Sequence, residues 1–106
     1  MRAVILTAAA LLSAAGLAKA EEMPVPGAEL QRVVVGKSVS IGSASAHYGK
    51  DGRYSFNGGN FGKYKIQNGR ICVDFDAGAS RCDKIVKDAG NYYLIDGRGV
   101  RFRFRP

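Results

Sequence analysis

From Lys37 to the C-terminus the chain alternates short runs rich in Val, Ile, Tyr and Phe with glycine-centred turn segments. The turns are Asp51-Gly52, Asn57-Gly58-Gly59-Asn60, Asn68-Gly69, Ala77-Gly78, Asp88-Ala89-Gly90-Asn91 and Asp96-Gly97-Arg98-Gly99. Asn-Gly and Asp-Gly accept the positive φ angles that tight hairpins require. Short strands at this spacing predict an antiparallel meander, with strands over 38–42, 45–48, 53–57, 62–67, 70–75, 81–87, 91–95 and 100–105.

Closing each turn tightly sets a register. Asn68-Gly69 places Ile66 against Ile71 and Tyr64 against Val73. The turn at Ala77 places Val73 against Arg81 and Cys72 against Cys82. The Asp88–Gly90 turn places Ile85 against Tyr93, and the last turn places Ile95 against Val100 and Tyr93 against Phe102. Side chains alternate faces along a strand. One face therefore collects Tyr64, Ile66, Ile71, Val73, Phe75, Ile85, Tyr93, Ile95, Val100, Phe102 and Phe104, a core on which separate turns agree. Arg81 and Asp83 fall on the same face, which requires that they pair, sit at the rim, or lie at a bulge that swaps the faces.

Upstream, Leu30, Val33 and Val34 form one apolar stripe at helical spacing, with Gly36 placed as a C-terminal cap. This predicts a short helix over 28–35, although three consecutive valines also suit a strand. Pro24 and Pro26 make 21–27 an extended leader. A sheet apolar on one side must cover that side by curling on itself or by docking a helix. The expected fold is mainly β: an antiparallel meander forming a curled sheet or small barrel, with one short N-terminal helix and a single disulfide.

Residues 1–20 have the parts of an export signal: Arg2, an uncharged apolar run from Ala3 to Leu17, and Ala18-Lys19-Ala20 for cleavage after Ala20. Removing 20 of the 106 residues leaves 86, enough for one domain over 28–106. No second apolar run follows, so no transmembrane segment is expected after cleavage, and the expected location is the periplasm or the medium. A core this small often needs a staple. Cys72 and Cys82 are the only cysteines, and an exported protein meets an oxidising compartment. The register holds their Cα atoms ~4.5–5.5 Å apart, within reach of a disulfide.

Candidate chemistry is sparse. His47 is the only histidine, and neither Ser43 nor Ser45 stands in a nucleophile motif. One histidine and two bridged cysteines make no zinc set, and Asp74, Asp76, Asp83, Asp88 and Asp96 do not follow a calcium loop. No phosphate-loop motif is present. These readings predict no catalytic residue, no metal and no cofactor. Losing Arg2 and Lys19 leaves 14 basic against 9 acidic residues, a modest positive excess. Lys63, Lys65, Arg70, Lys84, Arg101, Arg103 and Arg105 fall opposite the core, with Val86, Tyr92 and Leu94 among them. Lys63, Lys65, Lys84, Arg101 and Arg103 are the candidate anion- or partner-binding surface. Its expected partner is an anionic envelope component or an acidic protein, and nucleic acid is not expected.

Gly62-Lys63-Tyr64-Lys65-Ile66, Gly69-Arg70-Ile71-Cys72-Val73-Asp74-Phe75 and Arg81-Cys82 together resemble a group of uncharacterised small exported domains of Gram-negative, mostly alphaproteobacterial, bacteria. That group has a Gly-x-aromatic step, a Gly-x-x-Cys run ending in an aromatic, and a second Cys about ten residues later; its aromatic is often Trp where this chain has Tyr64. The likeness spans roughly 28–104 and implies fold and location, with no catalytic residue. The leading expectation is a non-enzymatic binding or accessory module using the outer sheet face or the open end of the curled sheet. Its rivals are a small carrier with an apolar ligand inside a barrel, in a pocket lined by Tyr64, Tyr93 and Phe102, and a small hydrolase centred on His47.

Overall fold

The structure, a computed structural model, describes residues 22–106. The export signal expected over 1–20 lies outside the described residues. The elements are β1 (Met23–Pro24), α1 (Gly27–Val34), β2 (Lys37–Ile41), β3 (Ala44–Tyr48), β4 (Arg53–Phe56), β5 (Gly59–Gln67), β6 (Arg70–Phe75), β7 (Ser80–Asp88), β8 (Asn91–Ile95) and β9 (Arg101–Arg105). Strands β2 to β9 pair with their sequence neighbours, all antiparallel, and β9 returns to β2 through Ser40↔Arg105 and Ile41↔Phe104. The meander therefore closes into an eight-stranded up-and-down barrel. Closure leaves no edge strand exposed along the ring.

At one end lie α1 and the turns at 49–52, 68–69 and 89–90; at the other lie 42–43, 57–58, 76–79 and 96–100. α1 stoppers the first end by burying Leu30 and Val34. Its N-terminus has no side-chain cap of its own, but Asn68 Oδ1 accepts from the Gly27 N–H at 2.7 Å. Glu29 anchors the helix, accepting from Lys87 Nζ at 2.7 Å and from the Tyr92 hydroxyl at 2.5 Å. These two donors hold the Glu29 carboxyl below its usual range. The leader is docked: Met23 and Pro24 pair with Lys87 and Val86, and Val25 is buried.

Eight strands give an interior that side chains fill. Here Tyr48 is the hub, with Tyr54 and Tyr64 edge-on at 5.4 and 5.2 Å and Phe104 at 6.4 Å between ring centres. Val39, Ile71, Val73, Ile85 and Leu94 complete the packing. The β5–β6 and β6–β7 hairpins have the expected register, including Tyr64↔Val73 and Cys72↔Cys82.

The last two hairpins are each slipped by one residue. Ile85 faces Leu94 instead of Tyr93, and Leu94 faces Phe102. The cause lies in the turns. Ala89 and Gly90 both have positive φ, so the turn holds two residues and pairs Asp88 with Asn91. The last loop runs from Asp96 to Val100, because the Asp96 carboxylate accepts from the Arg98 and Val100 N–H groups and draws Val100 out of the strand. Between two one-residue slips every side chain of β8 changes face. Tyr92 and Leu94 point inward, whereas Tyr93, Ile95 and Val100 leave the core face expected for them.

β5 carries the one irregularity. Arg53↔Lys63 and Tyr54↔Gly62 share a register that Phe56↔Gly59 does not, so β5 has an extra residue opposite Ser55. Asn60 there adopts φ 47°. Beyond the bulge, β5 presses on β6 at Gly62, where a Cβ would stand 2.4 Å from the Asp74 carbonyl oxygen and 2.9 Å from Phe75 Cα. Gly62→Ala is expected to destabilise by about 1–3 kcal/mol, seen as a lower urea midpoint with the slope unchanged.

Candidate functional site

The end of the barrel opposite α1 has no element across it, and the bulge shapes its rim. With the turn at Asn57-Gly58 and the extra residue at Asn60-Phe61, Phe61 stands 55% exposed beside the ends of β4, β6 and β7. It forms one wall of a cleft of about 500 Å³ shared with Phe56, Phe75, Ala77, Ala79 and Arg81. A second hollow of about 300 Å³, floored by Ile41, Leu94 and Phe102, adjoins it across Phe56 and Arg81.

Arg81 is the central group of this rim. Its guanidinium carbon lies 5.8 and 6.0 Å from the ring centres of Phe56 and Phe75, within cation–π range. Its Nε donates to Asp83 Oδ2 at 2.9 Å, and 42% of the side chain stays exposed. Asp83 lies behind it in the interior, with its side chain only 5% exposed. Arg81 and Asp83 thus do fall on the core face; they pair, with the cation at the rim and the carboxylate inside. Burial pushes the Asp83 carboxyl up, against the opposing pull of Arg81. Burial also raises the Tyr54 and Tyr48 phenols. Asp83 Oδ1 and the Tyr54 hydroxyl have no hydrogen-bond partner among the described residues. Buried polar atoms are ordinarily paired; these two lie in the interior, and neither residue lines the cleft.

The mouth collects exposed aromatic surface and one anchored cation, together with Asp76, whose carboxylate is held by Arg53. The open end is one of the two binding places expected from the sequence, but reading by turns names none of these residues for it. Turn chemistry makes 57–60 a loop and starts β5 at residue 62, so it assigns Phe61 no place. The signal that pointed here was the pair of charges on the core face.

The expected basic surface is broken up. Lys63, Lys65, Lys84, Arg101 and Arg103 are all on the outside, as expected from alternation. Arg101, however, is bound by Glu22 and, at 3.3 Å, by Asp88, and lies 4.3 Å from the Tyr93 ring centre. Arg103 also stacks on Tyr93, at 5.7 Å, and reaches Asn91. Lys63 faces Asp74 across the β5–β6 ladder. Lys65 and Lys84 form no ion pair among the described residues, and neither does Arg70. Tyr92 and Leu94, expected among these cations, face inward; Tyr93 and Ile95 replace them. Val86 is outward but buried, opposite Pro24.

Cys72 and Cys82 form the disulfide, with Cα atoms 4.0 Å apart. His47 lies on the outer side of β3, its Nδ1 3.1 Å from Ser38 Oγ. Among the described residues no group of three or more His, Cys, Asp or Glu side chains could hold a metal ion. No described helix is long and apolar enough to cross a membrane. No family model, curated protein or solved structure matches this chain.

Proposed function

We propose that this chain is an exported, non-catalytic binding module whose ligand seat is the open mouth of the barrel. Export rests on the signal over 1–20, and the disulfide suits an oxidising compartment such as the periplasm. The observation that carries the reading is the cleft at Phe61, where three phenylalanines and a half-exposed arginine converge on one rim. Binding sites are concave and mostly apolar, with a few placed polar groups. The ligand class is an amphipathic small molecule: an apolar body lies on Phe61 and Phe75, and a hydrogen-bond-accepting head meets the outer edge of the Arg81 guanidinium. Such a ligand sits in the mouth. The barrel interior is occupied by Tyr48, Tyr54 and Phe104, and Tyr93, which the rival carrier reading needs in an internal pocket, is outside.

The aromatic sulfonate 1-anilinonaphthalene-8-sulfonate is a fitting probe. It is expected to bind the folded protein at one saturable site. Phe61→Ala should weaken that binding about tenfold, the loss of one well-placed aromatic anchor, with the unfolding midpoint nearly unchanged because Phe61 is exposed. Equal affinity in the two proteins, or fluorescence that never saturates, would sink the proposal.

A further inference from the structure

We propose a second, independent site: Arg70 and Lys84, with Lys65 at its flank, bind a phosphate group on the outer wall of the barrel beside the disulfide. Arg70 on β6 and Lys84 on β7 are directly opposite one another in the ladder. Like charges in that relation repel and destabilise a sheet, and no carboxylate lies within 4 Å of either among the described residues. Arg53 and Arg101 show the usual remedy, Arg53 clamped by Asp76 at 3.1 and 2.7 Å and Arg101 by Glu22 and Asp88, whereas Arg103 and Arg105 form no ion pair but do not face a like charge across the ladder. At Arg70 and Lys84 that remedy is absent, and the two cations border a hollow.

The hollow has a volume of about 290 Å³ and is lined by Arg70, Lys84, Cys82, Asp96, Gly97 and Gly99, with Ile95 beside them. A Cβ at Gly97 or Gly99 would meet nothing within 4 Å, so a group can approach that wall closely. Asp96 is the one acid present. Its carboxylate is engaged by the Arg98 and Val100 N–H groups, which hold it below the usual carboxylate range, and it lies 3.6 Å from Arg98. Lys65 stands on β5 opposite Cys72, two strands over from Cys82, the cysteine that lines the hollow, and outside the hollow's lining. Two cations facing one concavity match a dianion, and the planar guanidinium fork matches tetrahedral oxyanions. A phosphate monoester has that charge near neutral pH. The group reaches the site on a soluble phosphoester or on a lipid headgroup.

The test measures thermal unfolding of the mature protein, Arg70→Thr and Lys84→Thr in inorganic phosphate, in glycerol phosphate, and in sodium chloride at matched ionic strength. Sedimentation with phosphatidylcholine vesicles, with and without phosphatidic acid, runs in parallel. Phosphate strengthens burial in any protein, so the diagnostic quantity is the difference between wild type and variants. Wild type is expected to gain about 6–11 °C more than either variant at tenfold excess over Kd. Without phosphate both variants should melt at or above the wild-type temperature, because the repulsion is gone. A gain in soluble phosphates identifies a soluble phosphoester; cosedimentation confined to phosphatidic acid vesicles and lost in both variants identifies the headgroup. Equal responses of wild type and variants in every arm overturn the proposal. Phe61→Ala should behave as wild type here, so failure of this site and failure of the mouth site are separable.

Discussion

Arg81→Leu is expected to cost about 2–3 kcal/mol at neutral pH, measured by urea unfolding. Breaking a fully buried ion pair typically costs ~3–5 kcal/mol, because a charge is left without compensation. The figure here is lower because Arg81 is 42% exposed and water screens part of its interaction with Asp83. The pH dependence identifies the cause. Burial raises the folded-state Asp83 carboxyl, and Arg81 is the main group pulling it back. A carboxyl whose folded value is raised binds a proton more readily in the native state. Its contribution to stability therefore improves as pH falls through the folded value and is complete below the unfolded one. Without Arg81 the folded value rises further and that window widens. The stability deficit of Arg81→Leu should accordingly shrink between neutral pH and about pH 4. Arg81→Leu combined with Asp83→Leu should recover most of the loss at neutral pH, since replacing both members of such a pair by apolar groups is often neutral. A deficit independent of pH, or a double variant as unstable as the single one, would show that lost packing over Phe56 and Phe75 sets the cost.

Removing the Cys72–Cys82 bridge is the second large effect. Replacing both cysteines by alanine should destabilise by about 2–3 kcal/mol, the chain-entropy value for a short loop. For a domain of this size that lowers Tm by roughly 10–20 °C. Reduction of the wild-type protein with dithiothreitol should reproduce the shift, and dithiothreitol should leave the alanine variant unmoved. A Tm unchanged by either treatment would mean that barrel closure and the α1 stopper already hold the β6–β7 ladder without the sulfur bridge. The ladder itself, with five paired positions from Arg70↔Lys84 to Asp74↔Ser80, sets the register that brings the two sulfurs together.

Much of this architecture is readable from local chemistry. Eight strands and the helix are found within one to three residues of their expected bounds, because Asn-Gly and Asp-Gly turns and period-two alternation are local signals. The β8 face was misread for an equally local reason. Whether Asp88 belongs to the turn or to the strand changes a two-residue loop into three, and the residues on either side, Tyr92, Tyr93, Leu94 and Ile95, are all apolar enough to suit either face. Nothing in that run penalises the wrong choice. On β5 to β7 the alternation of Lys63, Lys65, Arg70 and Lys84 with Tyr64, Ile66, Ile71 and Ile85 does penalise it, and there the register agrees with expectation.

The functional surface was legible only in fragments. Two charges on a core face marked the mouth without showing that it was a mouth, and the arginines of β9 looked like free cations until Glu22 and Asp88 were placed beside Arg101. Pairing between Glu22 and Arg101 spans 79 positions, which no pattern of neighbours encodes.

The sequence alone determined the strand order, the sulfur pairing and most of the inward face, because each follows from residues a few positions apart. Tertiary structure alone decided that the sheet closes, that the end opposite α1 stays open, and which cations stay unmatched. Those outcomes depend on which distant side chains share a surface once the barrel has curled, and curvature comes from the sum of many small strand twists and a bulge at Asn60.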